Sequence, residues 1–236
     1  MSRLWLVFPF ALSTVVVGCG GDSDSESDVD FYSGTASAAL GAPNNEARCS
    51  NCHSADGSTS GQSGASLEDI AFRSSYKGGD APTLIAAANA CIGGWMGGTA
   101  VTADDDRWNQ LEAYLVSISD AAVTTPNGLA PEVLANEVAY ETSYAGGNAA
   151  AGAAKYATFC AQCHDNALRV GMVATPTKAS IKGLSAGRIA QQVRTSGPPP
   201  SGMSDPSDST PGPMPFFEPA ELSPQDLKDI IAYVRQ

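Results

Sequence analysis

Cys160-Ala161-Gln162-Cys163-His164 and, far upstream, Cys49-Ser50-Asn51-Cys52-His53 decide how this chain is read. Each run places two thiols three positions apart, with a histidine directly behind the second. Two thiols at that spacing can each add to a vinyl group on one edge of a porphyrin, and the following imidazole then lies under the iron. A disulfide framework does not require a histidine after each pair. A zinc site built from both pairs would have to join distant parts of the sequence, with each histidine tied to its own pair. A thioredoxin-like dithiol needs a βαβ setting, and no such pattern is visible. The expectation is therefore two covalently bound haems c, held by thioethers at Cys49, Cys52, Cys160 and Cys163.

The chain has only two histidines, His53 and His164, and both are consumed as proximal ligands. That leaves methionine, lysine, cysteine or water for the opposite face of each iron. Two amphipathic patterns choose among the methionines. Leu111, Tyr114, Leu115 and Ile118 recur at helical spacing, and so do Leu227, Ile230, Ile231 and Val234 with Tyr233 beside them. Helix starts are expected at Thr102 with Asp105 three positions on, and at Ser223 with Asp226, with Pro224 at the first helical position. Met96 precedes Tyr114 by almost the same interval as Met214 precedes Tyr233, whereas Met203 lies much further from that tyrosine. Met96 and Met214 are the expected axial ligands. Pro213 and Pro215 flank Met214 and fix its backbone.

The chain begins with Met1-Ser2-Arg3, an apolar run from Leu4 to Val17, then Gly18-Cys19. This reads as a secretory signal over 1–18, too short for a comfortable membrane span. Val16-Val17-Gly18-Cys19 resembles a bacterial lipobox, which makes Cys19 the expected lipidation site. Residues 19–30 are acidic and serine-rich, a tether that cannot pack a core. Gly20 stands where an inner-membrane retention signal carries aspartate, which favours the outer membrane. Net charge is −12 and becomes −13 once Arg3 leaves with the signal. Such a surface excludes nucleic acid and suits a partner with a basic docking patch.

The two halves resemble class I cytochrome c domains in tandem, most closely over residues 148–236. There Gly152 and Tyr156 precede the second signature as in that family's first helix, and the small glycine lets it cross the last helix at Tyr233. The resemblance implies that the Pro176 carbonyl accepts from the His164 imidazole, and that Ile189 to Arg194 form the helix before the methionine loop. Residues 196–212 look like an inserted surface loop. Residues 31–120 match less well: no proline follows His53 until Pro82. The span from Leu84 to Ile92 reads as a middle helix, and Trp95 and Trp108 as packing against haem or core. The fold class is all-α, with few strands: a cytochrome c-like domain over 31–120, a connector over 121–147 and a second domain over 148–236, each a few short helices wrapped around a haem.

Cys91 has no partner among the other cysteines and sits five positions before Met96. It reads as a small apolar side chain, a bridge to another chain, or a thiol over the first iron. The last loosely resembles cytochromes of thiosulfate-oxidising systems. The resulting expectation is an electron-transfer protein on the periplasmic side of a bacterial membrane rather than an enzyme. The alternatives are an oxidoreductase acting on a small sulfur anion such as thiosulfate through Cys91, and an electron-transfer subunit of a larger complex.

Overall fold

The structure, a computed structural model, describes residues 30–58, 66–196 and 214–236. The signal segment 1–18, the lipidation site Cys19, the tether apart from Asp30, Met203, Pro213 and nearly all of the 196–212 loop lie outside the described residues. No helix among the described residues is long and apolar enough to cross a membrane.

The chain is mostly helical, consistent with a cytochrome c fold. The first half holds α1 (Thr35–Ala39), α2 (Cys49–Cys52), α3 (Leu84–Gly94) and α4 (Asp106–Ser117), with a 3-10 turn at Lys77–Gly79. The second holds α5 (Glu137–Tyr144), α6 (Ala149–Phe159), α7 (Ala161–His164), α8 (Lys178–Ile181), α9 (Ala186–Thr195) and α10 (Pro224–Val234). A two-residue antiparallel pair, β1 (Arg169–Val170) with β2 (Val173–Ala174), makes the sheet. Each half has its own apolar core. One gathers Tyr32, Leu84, Ile92, Trp108, Leu111 and Leu115, and the other Tyr140, Tyr156, Ile189, Leu227, Ile230 and Val234.

Local chemistry explains the helix ends. Ser223 Oγ accepts from Asp226 N at 3.1 Å, with Pro224 at the first helical position, so α10 starts where its sequence signals it. The expected start at Thr102 is corrected. Asp105 caps α4 instead, accepting from Arg107 N at 2.9 Å, and the chain from Thr102 to Asp105 is a turn. An aspartate that can reach two positions ahead supplies the acceptor nearer the amphipathic run.

α6 crosses α10 at Gly152. A Cβ there would stand 1.9 Å from Asp229 O, so only hydrogen fits. Tyr156 and Tyr233 meet beside the crossing with ring centroids 5.3 Å apart, within the range of a favourable aromatic pair.

The connector expected over 121–147 contains α5. Asn136 caps it, accepting from Ala139 N at 3.0 Å. Tyr140 and Tyr144, one turn apart, are fully buried against the second core. Arg194 of α9, wholly buried, donates to Tyr144 Oη at 2.9 Å and to Phe217 O at 2.9 Å, with Glu132 at 3.4 Å balancing its charge. Residues 132–144 therefore pack as part of the second half.

Candidate functional site

The second signature lies on a cavity of about 720 Å³. Cys160, Cys163, His164 and Met214 all line it, with Phe159 and Phe217 among its apolar walls. α6 ends at Phe159, and the short α7 turns the Cys163-His164 end toward the cavity. His164 Nδ1 lies 2.6 Å from Pro176 O. That contact leaves Nε2 as the nitrogen able to bind a metal, and it fixes the ring plane. Thr175 Oγ1 donates to Cys163 O at 2.6 Å, pinning the backbone between thiol and imidazole. Tyr156 Oη donates to Asp165 at 2.9 Å, and burial, with that carboxylate beside it, raises the phenol's pKa. Met214 lines the same cavity, its carbonyl accepting from Ser196 Oγ.

The first signature lines a narrower cavity of about 230 Å³ with Cys49, Cys52, His53 and Met96. Cys49 N donates to Ser37 Oγ at 3.0 Å, and Arg48 reaches the carbonyl of Ser33 at 2.8 Å. Met96 is buried, and its carbonyl accepts from Ala42 N at 2.7 Å. Each cavity thus brings together the two thiols, the imidazole and the methionine expected for it.

All four signature thiols are pushed toward their neutral form. Burial raises Cys49 to about 11 and Cys160 to about 12; it also raises Cys163, and it raises Cys52 with help from the nearby charge of Cys163. Neutral, desolvated thiols beside aromatic walls suit the flat apolar body of a porphyrin better than a hydrated metal ion. Among the described residues no cluster of three or more His, Cys, Asp or Glu could hold a bare metal. Gln192, on the wall of the larger cavity, has a buried Oε1 with no hydrogen-bond partner. The residues present therefore fit a haem.

Sequence reasoning missed three features. Lys77 reaches into the first cavity, its Nζ 3.8 Å from Cys91 Sγ and 5.7 Å from the Trp95 ring centroid. Lys77, Gly78 and Gly79 all have positive φ, a turn that Gly-Gly permits, and this was the available signal. The Arg194–Tyr144–Glu132 group had no local pattern to reveal it. Nor did the contact between the halves, where residues 45–47 bond to Arg169 of β1 and to Gly171 of the turn after it.

The profile of the family described as cytochrome C oxidase, cbb3-type, subunit III matches residues 147–234. That match, over the stretch that holds the second signature, the crossed helices and the larger cavity, supports a c-type cytochrome, a class of haem-binding electron-transfer module. No curated protein matches the chain. Among solved structures, the chain is similar to thiosulfate dehydrogenase (TsdBA) from Marichromatium purpuratum in its as-isolated form, at 18% identity and TM-score 0.43. The match covers 88% of this chain, which spans 44% of that one.

Proposed function

We propose that this chain is a dihaem c-type cytochrome that carries electrons between redox partners, tethered by lipidated Cys19 on the periplasmic side of a bacterial membrane. One observation supports it above the others: each of two cavities collects a C-x-x-C pair, the following histidine and one methionine. Cys49 and Cys52 would hold one haem and Cys160 and Cys163 the other, with His53 and Met96, and His164 and Met214, as the axial pairs. A haem so held supplies one-electron exchange between its ferrous and ferric forms. The protein's own part is to hold and enclose. The His164–Pro176 contact orients the imidazole, and the apolar walls exclude water, which favours the less charged ferrous form. The partners are redox proteins, and the chain's acidity suits a basic docking face.

The test is the intact mass and the pyridine haemochrome of the exported protein. Two haems per chain and a methionine-to-iron near-infrared band for each are expected; a single haem, or a colourless protein, overturns the proposal. Met214→Ala and Met96→Ala should each remove one of the two bands.

A second reading is favoured by one contact, the Lys77 ammonium 3.8 Å from Cys91 Sγ inside the first cavity. A thiol beside a cation can serve an oxidoreductase acting on a small sulfur anion, with the second haem as exit. A thiolate-type spectrum at one haem, lost in Cys91→Ala, would establish that reading and displace the pure carrier.

A further inference from the structure

Trp95 lines both cavities. It caps the C-terminal end of α3 and precedes Met96. Cys52, Val170 and Pro215 also line both. A thioether position of the first site therefore borders the second cavity, and residues of the second half close the first.

This common wall is fixed by hydrogen bonds between the halves. Gly171 N donates to Asn45 Oδ1 at 2.8 Å, and Arg169 O accepts from Glu46 N at 2.9 Å and from Ala47 N at 3.1 Å. Asn45 is itself held by the carbonyls of Ala38 and Ala47, both at 2.9 Å. Gly171 has φ +62, and a Cβ there would come 2.9 Å from Trp95 O. The backbone carrying Trp95 thus abuts the hairpin of the other half with no room for a side chain between them. The Lys77 ammonium over the indole adds a cation–π contact that steadies the ring.

Building on the dihaem proposal, we infer that Trp95 is the positioning residue for electron transfer between the two haem sites, its indole filling the space that separates them. The step is an exchange of one electron. The donating site is oxidised by one equivalent and the accepting site reduced by one, with no bond made or broken and no proton moved. Electronic coupling decays faster across a void than across packed atoms, so a large polarisable ring in the gap matters more than a small side chain. This role differs from that of the axial residues, because Trp95 acts on the link and not on either iron.

The experiment uses the full holoprotein. Trp95→Leu and Trp95→Phe are each shown by pyridine haemochrome to keep two haems. The protein is then reduced by one equivalent with a photochemical pulse, and re-equilibration between the haems is followed optically. Trp95→Leu should slow it by roughly tenfold, within the ~10²-fold that a misplacement of about 1 Å can cost, and Trp95→Phe should fall between. Both midpoint potentials and both near-infrared bands should stay as in the parent, a result that simple structural damage would not give. An unchanged rate in a two-haem Trp95→Leu protein overturns the inference and leaves the dihaem proposal standing. A parent chain with one haem overturns that proposal and this inference together. If Trp95→Leu fails to retain its haems, Trp95→Phe decides: a slower rate supports the role and an equal one removes it.

Discussion

Two halves of one chain carry the same five-residue signature in unlike settings. The second half is a scaffold of crossed helices: α6 lies on α10 at a glycine, α5 braces α9, and the cavity is about 720 Å³. The first half has a five-residue α1 and long loops, and its cavity is about 230 Å³. Yet it makes a similar close approach by another route, since a Cβ on Gly98 would stand 1.9 Å from Leu40 O. The same signature thus stands in one half with the crossed-helix frame and in one half without it. The family profile covers the half with the frame and stops short of the half without it.

The largest effect on this contrast is expected from Gly152→Ala. The added methyl group overlaps Asp229 O and should cost the second half about 3 kcal/mol. Chemical denaturation monitored by haem absorbance should then show the second half melting ahead of the first; coincident melting of both would mean that they fold as one unit. Arg194→Met should cost about 1–3 kcal/mol, because it removes the donor to the buried Phe217 carbonyl and leaves the Glu132 carboxylate, still accepting from Tyr144 Oη, without its cation. Its effect should again be confined to the second half. Asn45→Ala should cost about 1 kcal/mol by releasing the Gly171 amide and two carbonyl contacts. Hydrogen exchange at residues 169–171 should quicken while α10 keeps its protection. Least disruptive is Lys77→Met, which should leave stability nearly unchanged. It should lower the midpoint potential of one haem only, since a nearby positive charge disfavours the ferric form.

Much of the site was legible from residue spacing. Cysteine pairs, trailing histidines and methionines placed before amphipathic helices are local patterns, and the structure sets each group of four on one cavity. α10 was legible because Ser223 and Pro224 mark its start without competition. α4 was misplaced by a few positions because Thr102 and Asp105 both offer a capping oxygen, and only packing selects between them. The burial of α5 was not legible. Its sequence Glu137-Val138-Ala139-Tyr140-Glu141-Thr142-Ser143-Tyr144 has just two large residues on its inner face, and their hydroxyls are satisfied by groups distant in sequence or carried on the preceding loop. The shared wall at Trp95 was invisible for the same reason: it arises from two stretches far apart along the chain.

α5 also changes what the link between the halves can do mechanically. Glu137 accepts from Ser185 Oγ and Glu141 from Gly187 N, so this helix grips the first turn of α9, whose later residues wall the larger cavity. A leash would let the halves drift apart under load. Here, a pull on the chain arriving at residue 137 is delivered straight to the cavity wall. Proteolytic nicking within 137–144 should accordingly disrupt the larger cavity, with haem absorbance of the nicked protein reporting the loss.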